Sequence, residues 1–209
     1  MEPHEVAAML WSAALFFTVL CSYYVLRPLR ESLGLAGGVK SLPWMFTATF
    51  VAMLLAVPLF SWVVARWPRQ VFIPLVYRGF AVMLLGFFAL LQWVSGEALL
   101  MIARVFYVWV AVFALFVVSV FWGYMADLWR REQGERLFGF IAAGGTAGAL
   151  VGPLLTGLLA PRIGAAYLVL LSVLGLEIAA RCVGRLGRVA AGVGLGAAGA
   201  GHQPGAEMA

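Results

Sequence analysis

The sequence predicts an all-α, polytopic membrane protein with six transmembrane helices. Hydrophobic residues make up 64% of the 209 residues and charged residues 11%, whereas a soluble domain has roughly half and about a quarter. Six stretches also reach the ~20 apolar residues that a helix needs to cross the hydrocarbon core of a bilayer. Both observations indicate an integral membrane protein.

The six predicted spans follow from the spacing of apolar runs, and they cover residues 7–26, 43–65, 71–94, 98–126, 137–160 and 164–183. Ser95 and Gly96 leave so little chain between the third and fourth spans that these spans must be antiparallel neighbours. A short turn at residues 161–163 predicts that the fifth and sixth spans are also antiparallel neighbours.

We expect residues 1–185 to form the transmembrane domain and residues 186–209 to form a disordered tail. The tail is mostly glycine and alanine and has no periodic apolar face. The tail stands where another domain would begin. The chain is therefore either a complete protein or a truncated product of a longer gene, and both alternatives stay open.

Arginine placement predicts that both termini lie in the cytoplasm of an inner (cell) membrane protein. In that orientation the cytoplasmic side holds Arg66, Arg69, Arg130, Arg131, Arg136, Arg181, Arg185 and Arg188. The external side holds Arg27, Arg30, Lys40, Arg104 and Arg162. The segment before the first span has no basic region, so we expect no cleaved signal peptide.

The stretch GFIAAGGTAGALVGPLLTG, residues 139–157, is rich in glycine. No strand pattern precedes it and no Lys-Ser or Lys-Thr pair follows it, so it does not fit a phosphate-binding loop. The residues between the glycines are apolar over the length of a span, which argues against a linker. Gly144, Gly148 and Gly152 share one helix face and permit close packing, while Pro153 permits a bend. This pattern fits two alternatives. One is tight helix packing alone, and the other is a packed interface about which the helices move relative to each other.

The glycine spacing resembles the fifth-helix motif of antiporters in the major facilitator superfamily. The matching residues are Gly139, Gly148, Gly152, Pro153 and Gly157. Thr156 is a departure, since the motif has a glycine there.

Two loops extend this resemblance. SWVVARWPRQVF resembles the superfamily's loop motif between helices two and three, with Arg66 and Arg69 at its basic positions. Ala65 and Pro68 replace the family's aspartate and glycine. DLWRREQGERLFG, with Asp127 and Arg136, is similar to the loop that leads into the fifth helix. The resemblance covers residues 1–185 and implies one six-helix half of a twelve-helix transporter.

The segment YYVLRPLRESLG, followed by KSLPW, resembles nucleoside triphosphate/diphosphate exchangers of the ATP/ADP translocase type. In those proteins helix one ends with a leucine-arginine pair followed by a basic and an acidic residue. The matching positions here are Arg27, Arg30 and Glu31, and Pro28 departs from the pattern. The resemblance implies an exchanger of a phosphorylated substrate.

The predicted substrate-binding residues are Arg27, Arg30, Arg104 and Tyr23. Arginine offers a planar fork of donors that suits phosphate. In the superfamily the first and fourth helices line the central cavity, which implies that these cations face one another. The alternative is that arginines near span ends only snorkel to headgroups.

Three further charges lie inside predicted spans. Arg78 stands about 10 Å into the third span from the cytoplasmic side, where snorkelling is the favoured interpretation. Glu177 and Arg181 are four residues apart, so a structural ion pair along one helix is favoured over a coupling-ion role.

The predicted function is secondary transport of the major facilitator type, in which an anionic substrate is exchanged by alternating access. A nucleotide is one candidate for that substrate. The alternatives are half of a drug or amphiphile exporter and a non-transporting truncated membrane protein. The sequence contains no catalytic motif, so an enzyme is not predicted. No metal-ligand pattern is formed by Cys21, Cys182, His4 and His202, so neither a metal site nor a cofactor is predicted. Expected partners are the lipid bilayer, a small-molecule substrate and a second six-helix half or a homodimer partner. No nucleic-acid partner is expected.

Overall fold

The computed structural model describes residues 3–64, 66 and 69–192, and this part of the chain is helical with no strand. The long helices are α1 (Pro3–Ala36), α2 (Leu42–Val64), α3 (Arg69–Trp93), α4 (Glu97–Leu128), α5 (Arg131–Ile163) and α6 (Leu168–Gly192). Short 3₁₀ turns at Val39–Ser41 and Ala165–Tyr167 precede α2 and α6. Each of the six long helices is long and apolar enough to cross a membrane.

Glycines with positive φ mark three of the turns between helices. Gly96, at φ 68°, separates α3 from α4, where the sequence predicts a turn. The turn predicted at residues 161–163 instead falls at Gly164, at φ 90°, because α5 continues through Pro161. Gly38, at φ 84°, lies in the connection between α1 and α2. Only glycine adopts such backbone angles without steric cost.

Two helices extend furthest past their predicted ends. α1 continues through Pro28 to Ala36, so Arg27 and Arg30 lie on its last turns and not in a loop. α6 continues to Gly192, past the predicted domain boundary at residue 185. The rest of the predicted tail, residues 193–209, lies outside the described residues.

α1 and α4 pack against each other in opposite directions. As α1 advances, its contacts move back along α4: Phe16 stacks on Phe121, Tyr23 packs near Phe113, and Arg30 reaches Tyr107. The rings of Phe16 and Phe121 are nearly parallel and their centroids are 4.1 Å apart, so α1 and α4 are in close aromatic contact at this point.

α1 and α5 run parallel and approach closely. Contacts advance together along both helices: Ala13 with Gly144, Phe17 with Gly148, Tyr24 with Gly152, and Val25 with Thr156. A Cβ on Gly144 would lie 2.6 Å from the Ala13 carbonyl oxygen. The absence of side chains on these glycines therefore sets the separation of the two helices.

The main helix contacts repeat between the two halves of the bundle. α1 packs on α4, α5 and α6, while α4 packs on α1, α2 and α3, and α3 packs on α6. Exchanging α1 with α4, α2 with α5 and α3 with α6 maps this set of contacts onto itself. Since α1 and α4 are antiparallel, the exchange also reverses the direction of the helices.

The two ends of the bundle contain different helix termini. The proximal end is where α1 begins and α6 ends. The contact between Trp11 of α1 and Arg185 of α6 shows that these two helix ends are neighbours. The distal end is where α1 ends and α4 begins, near Arg30 and Tyr107.

Candidate functional site

Arg30 is held against α4 at the distal end of the bundle. Its Nε donates a hydrogen bond to the carbonyl oxygen of Tyr107 at 3.0 Å, and its guanidinium carbon lies 3.8 Å from the centroid of the Tyr107 ring. Nη1 donates to Glu31 at 2.9 Å. The side chain is only 14% exposed. A stacked and hydrogen-bonded guanidinium has a fixed orientation, as bidentate recognition of a carboxylate or phosphate requires.

Gly34 makes room for this arrangement. A Cβ at Gly34 would lie 2.7 Å from a ring carbon of Tyr107, so the ring packs directly on the α1 backbone one turn after Arg30. Tyr107 is buried as a result. Neither Gly34 nor Tyr107 is among the predicted site residues.

Arg27 and Tyr23 occupy the same helix but have different surroundings. Arg27 is exposed, and its guanidinium carbon lies 5.6 Å from the centroid of the Tyr24 ring. Tyr23 is half-buried against Phe113 of α4, with ring centroids 6.5 Å apart. Arg27 is therefore open to a ligand, while Tyr23 contributes chiefly to the packing of α1 on α4.

Arg104 lies on α4, one turn before Tyr107. It is exposed and stands beside the end of α1, where a Cβ on Gly37 would be 3.6 Å from its Nη2. It also lines an open cleft of about 310 Å³ between α2 and α4, together with Ser41, Trp44, Met45, Ala48 and Val108. The distal end thus carries all three predicted arginines: Arg30 is fixed by protein contacts, and Arg27 and Arg104 are exposed.

The residues of the fifth-helix motif divide into two groups. Gly148 and Gly152 face α1, where added side chains would collide with Phe17 and Tyr24. Gly139 and Gly157 have no atom within 4 Å of an added Cβ. Pro153 lies within α5 and is exposed.

Thr156, the departure from that motif, links two helices. Its hydroxyl is buried and lies 3.2 Å from the Val25 carbonyl oxygen of α1 and 3.1 Å from the Gly152 carbonyl oxygen of its own helix. A glycine at this position would offer no such donor.

The predicted loop residues lie toward the proximal end. The Arg66 guanidinium stacks 4.0 Å from the centroid of the Trp62 ring. Arg69 begins α3, but its side chain lies outside the described residues, as do Ala65 and Pro68. Asp127 is exposed in the last turn of α4.

Glu5 joins α1 to the start of α5 near this loop. It is 3% exposed. Its Oε1 accepts a hydrogen bond from Gln133 Nε2 at 2.8 Å and lies 3.9 Å from Arg136 Nη2. Gln133 in turn accepts from the Arg130 amide, which caps α5. Glu5 is not among the predicted site residues, because its partners lie more than a hundred residues away along the chain.

Arg78, Glu177 and Arg181 form an ion cluster between α3 and α6. Nε and Nη2 of Arg78 donate to the two oxygens of Glu177 at 3.1 and 3.3 Å, and Nε of Arg181 donates to Oε1 at 3.0 Å. The predicted pair of Glu177 and Arg181 is present. Arg78, interpreted from sequence as a snorkelling side chain, is bound to Glu177 on the neighbouring helix.

No group of three or more His, Cys, Asp or Glu residues with the arrangement of a metal site occurs among the described residues. Cys21 and Cys182 are free thiols.

Searches of protein-family models, curated proteins and solved structures found no match to this chain.

Proposed function

We propose that this chain is a six-helix half of a major-facilitator-type secondary transporter that exchanges an anionic substrate by alternating access. The repeated helix contacts carry this proposal. Each six-helix half in that superfamily consists of two three-helix units of inverted topology. The exchange of α1 to α3 with α4 to α6, with antiparallel α1 and α4, has that form.

The distal arginines support an anionic substrate. Arg30 is held by Tyr107 so that its Nη2 stays without a protein acceptor among the described residues. Arg27 and Arg104 are exposed at the same end of the bundle. A phosphoryl group or carboxylate would accept several hydrogen bonds from such donors, and phosphorylated compounds such as nucleotides have the most acceptor oxygens.

Membrane placement follows from the same proposal. The proximal end would face the cytoplasm of an inner (cell) membrane, since it carries Arg66, Arg136, Arg185 and Arg188. Substrate would bind against α1 and α4, where these helices meet a second six-helix half supplied by another chain segment or by a second copy.

Uptake into liposomes tests this proposal. The purified full chain is reconstituted into liposomes loaded with ADP, and uptake is measured for labelled ATP, inorganic phosphate and tetraphenylphosphonium. Saturable uptake of ATP or phosphate supports the proposal. Uptake of the hydrophobic cation alone would favour an amphiphile exporter, and uptake of none would favour a non-transporting protein.

A further inference from the structure

The ion cluster of Arg78, Glu177 and Arg181 lies on the surface of α3 and α6 and not within the core. The side chains are 56%, 32% and 73% exposed, respectively. All three residues fall within the segments that are apolar enough to span a membrane. Two arginines and one glutamate give the cluster a net charge of +1. An excess cation in such a segment requires an anion or water.

The two guanidinium groups have donors to spare. A guanidinium has five N–H donors. Arg78 uses Nε and Nη2 on Glu177, and Arg181 uses only Nε. Among the described residues, Nη1 of Arg78 and both Nη groups of Arg181 have no acceptor. Both arginines bind the same carboxylate of Glu177, which brings the two guanidinium groups near each other.

Basic residues continue from the cluster to the proximal end of α6. Arg181, Arg185 and Arg188 follow at intervals of four and three residues, which puts them on one face of the helix. All three are exposed. Arg185 stands 5.4 Å from the centroid of the Trp11 ring, and Arg188 Nε donates to the Gly184 carbonyl oxygen at 3.3 Å. The cluster is therefore the inner end of a basic strip that runs along α6 to the proximal end of the bundle.

We propose that Arg78 and Arg181 bind the phosphate of an anionic phospholipid headgroup, in the leaflet at the proximal end. The phosphate offers two unesterified oxygens, which match the spare donors of the two guanidinium groups. A cation held within a span draws headgroups toward it by local thinning of the bilayer, and Arg185 and Arg188 add attraction for a negatively charged lipid. The site lies on the outer surface of two apolar helices, so the ligand comes from the bilayer and not from dissolved phosphate. This inference rests on the proposed membrane insertion but not on transport.

Native mass spectrometry of the full chain in neutral detergent tests this lipid site. The protein is incubated with equal amounts of phosphatidylglycerol and phosphatidylcholine that have identical acyl chains. We expect the wild type to retain mainly phosphatidylglycerol. Arg181→Gln should lower the ratio of the two retained lipids about fivefold, and Arg188→Gln by a smaller factor, since each removes one cation near the phosphate.

Arg162→Gln is the matched control, because it removes the same charge from an exposed position at the distal end. An equal loss in this variant, or no preference for phosphatidylglycerol in the wild type, would overturn the proposal. Displacement of the lipid by millimolar glycerol phosphate would also overturn it, because the site would then bind dissolved phosphate. The lipid measurement does not depend on transport. A protein that fails to transport can therefore still retain phosphatidylglycerol, and the two proposals are tested independently.

Discussion

The guanidinium of Arg30 on α1 lies 3.8 Å from the centroid of the Tyr107 ring on α4, and its Nε donates to the Tyr107 carbonyl oxygen at 3.0 Å. One side chain thus joins the two helices that the proposed function requires to bind substrate. The contact depends on the planarity of the guanidinium as well as on its charge.

Arg30→Lys should therefore impair anion uptake even though it keeps the positive charge. Lysine has a single ammonium group at Nζ and no planar guanidinium, so it cannot stack on the Tyr107 ring while donating to the Tyr107 carbonyl oxygen. The loss of a charge-assisted hydrogen bond predicts a fall of about tenfold or more in the initial rate of uptake. Arg162→Lys is the control at an exposed position of the same end. Normal uptake by Arg30→Lys at equal protein content in the liposomes would show that the contact has no role in transport.

Two glycines of the same motif should respond in opposite ways to alanine. An added Cβ at Gly148 would collide with the Phe17 carbonyl oxygen, whereas one at Gly157 meets nothing within 4 Å. We expect Gly148→Ala to destabilise the protein by about 1–3 kcal/mol through overpacking. Gly157→Ala should be neutral or should stabilise by up to about 1 kcal/mol, since alanine favours a helix. Melting temperatures in detergent would check both, and equal shifts would argue against the parallel packing of α1 on α5.

Glu177 should matter more for stability than Arg78. Glu177→Gln leaves two arginines in apolar segments without a counter-charge, whereas Arg78→Gln leaves the pair of Glu177 and Arg181 intact. We therefore expect a lower melting temperature and more aggregate on size exclusion for Glu177→Gln than for Arg78→Gln. The reverse order would mean that Arg181 does not pair with Glu177.

A disulfide between α1 and α6 should form from Ser22→Cys and Gly175→Cys. A Cβ at position 175 lies 3.4 Å from the Cβ of Ser22, close to the spacing of about 3.5–4.5 Å in disulfides. The background replaces Cys21 and Cys182 with serine, and a protease site is inserted between Ser95 and Gly96. After oxidation and cleavage, the double-cysteine protein should run as one band without reductant and as two with it. Ser22→Cys with Gly184→Cys is the control, since an added side chain at Gly184 meets no atom within 4 Å. Two bands for both pairs would contradict the packing of α1 on α6.

The number of helices and the α3–α4 turn were predictable because they depend on local properties. Apolar length marks six spans, and Ser95-Gly96 is too short for anything but a tight turn. The turn predicted at residues 161–163 was wrong, since Pro161 fits the last turn of α5 and the chain reverses only at Gly164. Gly164 is a local signal for the later position, because glycine often follows the last turn of a helix.

Contacts between distant residues were harder to predict. Arg30 binds a main-chain carbonyl on α4, and an acceptor of this kind has no signature in the sequence. The link between Arg78 and Glu177 did have a signal, because both lie about 9–10 Å from the same end of their predicted spans. Opposite charges at equal depth can pair only where their helices touch, and that requires the packing of α3 on α6.

Exchange across the bilayer tests the proposed function most directly. Liposomes that contain the full chain are loaded with labelled ADP, and release is followed after unlabelled ATP is added outside. An exchanger predicts rapid release only when external anion is present, and loss of that release in Arg30→Ala. Release that is absent, or that is equal with and without external anion, would contradict anion exchange by this protein.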